Sequence, residues 1–176
     1  MDDLNRAHLL DKENPMVAKS KLSVQTKLNT IKFDEYRNIG NEYLKQKKFA
    51  EALEFYDKCL KITRKASNLD NISVYVNKVA CLLSLEKYNL VITECNDATR
   101  LIKNYQNKND GKHSAEDITR IKQMALRILV RKGNALTKTK KISEAIAEYE
   151  KALVIDPSNK SVLKDLDMLR KSYNWF

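Results

Sequence analysis

The sequence predicts an all-α fold with one domain. Only three glycines and two prolines occur among the 176 residues, and aromatic residues account for 7% of the chain. An all-β fold needs a turn signal roughly every 8–12 residues, and these counts of turn-forming residues are too low for that. With 43% hydrophobic residues, the chain is long enough to bury a sizeable core.

Residues 1–32 are expected to form a polar leader or a short docking helix. Their apolar side chains are scattered among polar ones, and the first residues have neither the basic region nor the apolar region of a secretion signal. No run of about 18 apolar residues occurs in the chain, so we expect no membrane insertion. The interpretation is a cytoplasmic protein.

Most of the chain after the leader is organised as repeats. Gly40 and Gly133 fall at position 8 of two frames that begin at Phe33 and Leu126, and a third frame without glycine begins at Ile72. Small residues at positions 8, 20 and 27, with large apolar ones at 4, 7, 11 and 24, resemble the tetratricopeptide repeat, a helix-turn-helix unit of about 34 residues. The resemblance implies a right-handed superhelical array of three repeats, at residues 33–66, 72–105 and 126–159.

The remaining segments are expected to be helical as well. The insertion at residues 106–125 extends the second repeat, passes through a polar turn, and starts a lengthened helix with Ser114 as its N-cap. Pro157 and Ser158 are expected to stop one helix and start another, and residues 160–176 are predicted to form a capping helix. The predicted apolar stripe of that helix consists of Val162, Leu163, Leu166, Met168 and Leu169.

The three cysteines, Cys59, Cys81 and Cys95, are odd in number and lack the spacing of a metal site. We expect them to be buried as small hydrophobic residues in a reducing compartment. His8 and His113 belong to no recognisable triad, metal pair or phosphate-binding loop, and we expect both to be solvent-exposed. No catalysis, cofactor or metal is predicted.

The first helices of the repeats are expected to line a concave groove through positions 2, 5, 6, 9 and 13. The residues at these positions are largely basic or amide-bearing, and a bound anion would offset the repulsion between like charges on one helix face. In chain order they are Asp34, Arg37, Asn38, Asn41 and Lys45; Ser73, Val76, Asn77, Ala80 and Ser84; and Arg127, Val130, Arg131, Asn134 and Lys138.

Five groove residues resemble the two-carboxylate clamp of co-chaperone tetratricopeptide domains: Arg37, Asn41, Asn77, Arg127 and Arg131. That family usually has lysines where Arg37 and Arg127 stand, a change that affects reach and hydrogen-bond geometry. The resemblance implies binding of the free Glu-Glu-Val-Asp carboxyl terminus of cytosolic heat-shock chaperones of 70 and 90 kDa. In the family pattern Arg37, Asn41 and Asn77 would hold the main-chain carboxylate, and Arg127 and Arg131 would hold the aspartate side chain and nearby backbone. Secondary groove residues are Lys45, Asn134 and Lys138.

The resemblance also implies that the chain is a module of a larger co-chaperone, such as a fungal auxilin-like J-protein, although the His-Pro-Asp signature of a J-domain is absent from this sequence. Two other functions stay open. A generic repeat scaffold would hold an internal peptide or a protein subunit, or dock the leader, through Val76 and Val130. The pI of about 9.4 permits weak nucleic-acid binding, but lysines interleaved with 23 acidic residues predict no specific site. We expect a monomer.

Overall fold

The computed structural model describes residues 15–63, 68–108 and 113–173, and within these ranges the chain is entirely helical apart from turns. The all-α prediction is confirmed. The described helices are α1 (Pro15–Lys45), α2 (Phe49–Ile62), α3 (Leu69–Ser84), α4 (Tyr88–Lys108), α5 (Ala115–Lys138), α6 (Ile142–Ile155) and α7 (Lys160–Tyr173). None of them is both long enough and apolar enough to cross a membrane.

The helices stack as consecutive pairs. Each helix packs against the next one along the chain, and the first helices of the pairs also lie side by side, with α3 between α1 and α5. This arrangement brings equivalent positions of the frames that begin at Phe33, Ile72 and Leu126, about 40 and about 55 residues apart in sequence, onto one surface. The groove residues predicted from the repeat frames all belong to these three helices.

The two glycines that mark the repeat frames are sites of close helix approach. A Cβ atom on Gly40 would lie 2.8 Å from Cε1 of Tyr56, and a Cβ on Gly133 would lie 2.8 Å from Cε1 of Tyr149. The middle repeat has Val79 at the glycine position and Cys95 at the tyrosine position, and both are fully buried. A larger residue on one helix is therefore matched by a smaller residue on its partner.

The turn inside each helix pair has the same backbone geometry. Lys47, Glu86 and Lys140 have positive φ angles of 59°, 56° and 60°, and each stands at position 15 of its frame. In the first turn, the Lys47 N–H donates to the Leu44 carbonyl at 3.0 Å and the Lys48 N–H to the Tyr43 carbonyl at 2.9 Å. These two bonds define a Schellman motif, here built without the glycine that usually occupies the left-handed position.

The first helix is longer than predicted. Residues 15–32 form its first half and continue into the first repeat without a break, because the chain has no glycine or proline between Pro15 and Gly40. Pro15 is the first helical residue, where its missing N–H costs no hydrogen bond. Most side chains of residues 15–32 are exposed, including Val24 and Ile31. The rest of the predicted leader, residues 1–14, lies outside the described residues.

The insertion forms the end of α4 and the start of α5. Ser114 is the N-cap of α5, as predicted, and its Oγ accepts a hydrogen bond from the Asp117 N–H at 3.1 Å. His113, expected in solvent, instead stacks on Tyr105 with ring centroids 4.6 Å apart, so that expectation is wrong. The polar turn was predicted at residues 107–113, but residues 107 and 108 belong to the end of α4. The middle of that turn, residues 109–112, and His8 lie outside the described residues.

The final helix, α7, packs against α6 through a narrower apolar stripe than predicted. Val162, Leu166 and Leu169 are buried at a spacing of four and three residues. Leu163 and Met168 are 45% and 51% exposed, because each lies about 100° around the helix from a buried neighbour. The three cysteines are fully buried as expected, and burial raises the pKa of Cys59 and of Cys81 to about 11 and that of Cys95 to about 12.

Candidate functional site

A cavity of about 360 Å³ lies between α1 and α3 on the side where the first helices meet. Its lining residues are Asn38, Asn41, Glu42, Leu44, Lys45 and Asn77. The structure thus brings together three of the predicted site residues, Asn41, Asn77 and Lys45. Lys45 also pairs with Glu42 on its own helix, with Nζ 2.7 Å from Oε1.

The two asparagines form a short hydrogen-bond chain. Oδ1 of Asn41 accepts from the Tyr56 hydroxyl and from Nδ2 of Asn77, both at 2.9 Å. Because its carbonyl oxygen has both lone-pair directions engaged, the group that Asn41 can offer to a ligand is its NH₂ donor. An acceptor such as a carboxylate suits this arrangement better than a donor does.

Arg131 reaches this region from the next repeat. Its Nη1 donates to the main-chain carbonyl of Val76 at 2.6 Å, which places the guanidinium beside the residue preceding Asn77. It forms no ion pair with any residue that the structure describes. Burial lowers the pKa of Arg131, and the positive charge of Arg127 lowers it further. The site therefore contains a partly buried cation that pairs with no carboxylate among the described residues.

Arg127 lies one helical turn before Arg131 on α5 and is exposed to solvent. Within the described parts of the chain, it too lacks an ion-pair partner. Two of the secondary residues, Asn134 and Lys138, line a different cavity of about 470 Å³, which they share with Tyr149 and Met168. That cavity lies next to α7, so the structure separates these two residues from the asparagine pair.

Arg37 has a different environment from the one the sequence suggested. Its Nη2 lies 2.8 Å from Oδ1 of Asp34, and its Nη1 lies 2.9 Å from Oδ1 of Asp70. The guanidinium also packs over the Phe33 ring, 5.5 Å from the centroid. Asp70 was missed because it precedes the repeat frame; its place in the acidic first turn of α3 was the available signal.

Val76 was expected to offer an apolar groove contact, and that expectation is wrong. It is only 2% exposed, in a core cluster that includes Met124 and Ile128 of α5. The close packing of α3 against α5 turns position 5 of the middle repeat inward. Val130 is partly buried against the neighbouring cluster, which includes Leu136.

Comparison with known proteins identifies the repeats. Family models described as "Tetratricopeptide repeat" match residues 33–64 and 126–159. The chain contains tetratricopeptide repeats. The copy at residues 72–105 is predicted from its frame, and its two helices are α3 and α4. Within the described residues, no group of three or more His, Cys, Asp or Glu side chains could hold a metal ion.

Curated relatives of this repeat domain include co-chaperones. Over 142 residues it is 32% identical to Hsp70-Hsp90 organizing protein 1 of Arabidopsis thaliana, covering 78% of this chain and 22% of the relative. Over 137 residues it is 28% identical to the Hsp70/Hsp90 co-chaperone CNS1 of Saccharomyces cerevisiae, covering 77% and 30%. The chain therefore spans about a fifth to a third of the length of these relatives.

Solved structures share the repeat fold. The Hsp90 co-chaperone Cns1 from Saccharomyces cerevisiae superposes with a TM-score of 0.64 at 26% identity, covering 83% of this chain and 40% of that one. The first repeat domain of Spaghetti (RPAP3), bound to the HSP90 peptide SRMEEVD, gives 0.63 at 22% identity and covers 81% and 94%. The second such domain of human RPAP3, in complex with the HSP70 peptide SGPTIEEVD, gives 0.61 at 20% identity and covers 81% and 98%.

Proposed function

We propose that this domain binds the free carboxyl terminus of an acidic peptide and acts as a non-catalytic adaptor for cytosolic heat-shock chaperones. Asn41, Asn77 and Arg131 form the centre of the proposed clamp, with Arg127 and Arg37 on either side. The observation that carries the proposal is the partly buried guanidinium of Arg131, which forms no ion pair with a described residue, beside an asparagine pair that presents hydrogen-bond donors.

A peptide ending in aspartate matches these groups chemically. It offers a main-chain and a side-chain carboxylate at a nearly fixed separation, and each accepts hydrogen bonds from guanidinium and amide donors. Charge-assisted hydrogen bonds contribute roughly 1.5–3 kcal/mol each, and a flexible peptide loses entropy on binding. We therefore expect a micromolar dissociation constant, which corresponds to a binding free energy of about −8 kcal/mol. Added salt weakens binding because the groove is open.

The chaperone assignment rests on the relatives. Proteins of similar sequence carry names that refer to Hsp70 and Hsp90, and two structures of the same fold hold peptides that end in Glu-Glu-Val-Asp. The clamp residues of this chain have the chemistry to bind that ending. Together these observations support a chaperone tail as the ligand.

A second candidate is a generic scaffold that binds an internal peptide segment. The cavity of about 470 Å³ beside α7 favours it, because Tyr149, Met168 and Leu169 give that cavity apolar walls. Such a ligand would not depend on a free carboxyl terminus. The burial of Val76 leaves this candidate without one of its two predicted groove contacts.

Fluorescence anisotropy with labelled SRMEEVD tests the proposal. The peptide is used as the free acid and as the carboxyl-terminal amide, against the wild type, Arg131→Ala and a charge-matched control, Arg100→Ala. Arg100 is exposed on α4 and pairs with Asp97, so its loss changes net charge outside the groove. We expect micromolar binding of the free acid to the wild type and the control, and loss of binding on amidation or in Arg131→Ala. Equal binding of acid and amide would contradict the proposal and favour the scaffold.

A further inference from the structure

The turns inside the three helix pairs lie on one edge of the repeat array. Each helix packs against the next after a short connection, so the chain reverses direction at every step. The helices α1, α3 and α5 therefore run the same way, side by side, and the turns that follow them share an edge. We call this edge the turn edge and define it by frame positions 15 and 16, which are residues 47–48, 86–87 and 140–141.

The turn edge is strongly basic. Five of its six residues are lysines, all exposed: Lys47, Lys48, Lys87, Lys140 and Lys141. The sixth residue is Glu86, so five positive charges and one negative charge give this edge a net charge of +4. Among the described residues, only Lys141 of the five forms an ion pair, with Nζ 3.9 Å from Oε1 of Glu144.

Local helix energetics do not account for these lysines. Lys48 is the N-cap of α2 and Lys141 is the N-cap of α6, and neither side chain makes a capping hydrogen bond. Ser, Thr, Asp and Asn are the residues that stabilise an N-cap, and a positive charge at a helix N-terminus opposes the helix dipole. The lysines at position 16 therefore cost the following helices stability, and a bound anion would offset that cost.

The turn edge lies just beyond the proposed clamp. Lys138, the last residue of α5, comes seven residues after Arg131, which is a rise of about 10 Å along the helix. The turn edge begins two residues later. An extended peptide advances about 3.3 Å per residue. A peptide whose terminal carboxylate lies at Arg131 thus reaches the turn edge with the residues about four to six positions upstream.

The charges on either side of the clamp set the direction in which an acidic peptide runs. Towards the start of the groove, Asp34 and Asp70 are 48% and 53% exposed and already pair with Arg37. Arg127, at the same frame position as Asp34, belongs to the proposed clamp. In the other direction α1 and α5 both end in lysine, and the turn edge follows. The upstream part of an acidic tail is therefore repelled by the aspartates and attracted to the turn edge.

We infer that the turn edge is a second binding surface for the same ligand. Its lysines bind acidic side chains about four to six positions before the terminal aspartate, so an acidic extension raises the affinity of a tail. This inference rests on the proposed function, because the clamp fixes where the upstream residues lie. Neither SRMEEVD nor SGPTIEEVD has an acidic residue in these positions, so these two peptides do not use the turn edge.

A comparison of two designed peptides tests the inference. SEEMEEVD and SQQMEEVD, both as free acids, have the same length and nearly the same shape. They differ only in two charges, at about five and six positions before the terminal aspartate. Fluorescence anisotropy at moderate salt measures their binding to the wild type, to a turn-edge variant and to a control variant. SEEMEEVD is also measured as the carboxyl-terminal amide.

The turn-edge variant loses one lysine from each turn. Lys48 is left in place because its Nζ packs over the Tyr43 ring, 5.9 Å from the centroid, and Lys141 because of its ion pair. The control removes the same charge from three exposed lysines in the first half of α1, outside the repeats. The turn-edge variant is Lys47→Gln, Lys87→Gln, Lys140→Gln, and the control is Lys19→Gln, Lys21→Gln, Lys27→Gln.

The expected result is a preference that depends on the turn edge. The wild type and the control bind SEEMEEVD about fivefold more tightly than SQQMEEVD, since two exposed ion pairs form. This ratio falls towards one in the turn-edge variant, which still binds SQQMEEVD through the clamp. Raising the salt to about 0.5 M also reduces the ratio in the wild type, because exposed charges are screened. The amide of SEEMEEVD binds weakly to all three proteins.

Two results would overturn the inference and leave the proposed function standing. In the first, the wild type binds both free acids equally. In the second, the turn-edge variant keeps the full preference for SEEMEEVD, which would place the acidic side chains elsewhere. A thermal melt of each variant confirms that the comparison is made between folded proteins.

Two further results would overturn it for other reasons. If neither free acid binds, or if the amide of SEEMEEVD binds as well as the acid, the clamp does not anchor the tail and the proposed function fails with the inference. If a single-stranded oligothymidylate of about ten nucleotides binds as tightly as SEEMEEVD and loses binding in the turn-edge variant, the edge is a general polyanion surface rather than a site for an acidic tail.

Discussion

The first and third repeats share a packing contact but differ in the chemistry of the groove. In both, a glycine at position 8 lies against a buried tyrosine at position 24, and a Cβ added to the glycine would lie 2.8 Å from Cε1 of the tyrosine ring. Yet Arg37 in the first repeat is held by two aspartates, whereas Arg131 in the third donates to a carbonyl and lacks an ion pair among the described residues. The packing contact is fixed by how closely the helices approach, while the charges that face the groove are free to differ.

The same two repeats differ on the side away from the groove. The third repeat has Lys132 and Glu148 at positions 7 and 23, joined at 3.0 Å, and the first has Ile39 and Phe55 there. An ion pair and an apolar pair thus occupy equivalent places between paired helices. The difference shows that the repeat frame specifies the combined side-chain size at positions 8 and 24 more strictly than the polarity at positions 7 and 23.

The largest expected effect is a difference in peptide affinity between variants of Arg131 and Arg37. Arg131→Ala should weaken binding of a free-acid Glu-Glu-Val-Asp peptide by about 10–100-fold, the equivalent of roughly 1.5–3 kcal/mol for a lost charge-assisted contact. Arg37→Ala should weaken it by about threefold or less, because Asp34 and Asp70 already balance that charge. Isothermal titration calorimetry measures both. Equal losses of peptide affinity in the two variants would show that pairing with the aspartates does not reduce the contribution of Arg37 to binding.

Substitution of the frame glycines should cost about 1–2 kcal/mol of stability each. Alanine at a helix interior normally stabilises by up to ~1 kcal/mol relative to glycine, but here the added Cβ would overlap a buried tyrosine ring. Gly133→Ala and Gly40→Ala should both lower the urea midpoint, whereas the exposed Gln123→Ala on α5 should not. A rise in stability in either glycine variant would contradict the close approach of the helices.

Gly40→Ala should also reduce peptide binding, because the added Cβ would displace the Tyr56 ring, whose hydroxyl donates to Oδ1 of Asn41.

Lowering the pH should remove the contribution of the Lys132–Glu148 ion pair to the free energy of unfolding, which is about 1 kcal/mol. Glu148 is buried, which raises its pKa, but hydrogen bonds and attraction from Lys132 and Lys151 outweigh burial, so the pKa lies below its ordinary value. Its contribution is present above the unfolded-state pKa of about 4.3 and is lost as the pH falls through the lower folded-state value. Glu148→Gln should therefore be less stable than the wild type at pH 7, and the gap should narrow towards pH 3. Urea unfolding of both proteins between pH 7 and pH 3 tests this prediction. A stability difference that stays constant over this range would show that Glu148 does not stabilise the fold through its charge.

The smallest expected effect concerns the shared turns. Glu86 holds a left-handed backbone conformation, which costs a residue with a side chain roughly 1–2 kcal/mol, while glycine adds entropy to the unfolded chain. Glu86→Gly should therefore stabilise the protein by about 0.5 kcal/mol, seen as a small rise in melting temperature. Glu54→Gly, in the interior of α2, should destabilise it and provides the control.

The repeat frames predicted much of the fold because residue size at fixed spacing reflects contacts between helices. The closeness of Asn41 and Asn77, 36 residues apart, followed from the frames. The pairing of Arg37 with Asp70 did not, because ion pairs between repeats depend on side-chain reach at the frame edges, where spacing carries no information. The burial of Val76 was missed for a related reason: the frame gives the helix face but not how far α5 rotates towards α3.

The central claim is that the asparagine pair and Arg131 recognise a terminal carboxylate. Nuclear magnetic resonance of the ¹⁵N-labelled protein tests this directly, by following the side-chain NH₂ signals of Asn41 and Asn77 and the guanidinium signal of Arg131 during titration with SRMEEVD. We predict that these signals shift with the free acid and stay in place with the amide at equal concentration. Equal shifts with both peptides, or shifts confined to residues outside the groove, would contradict the account.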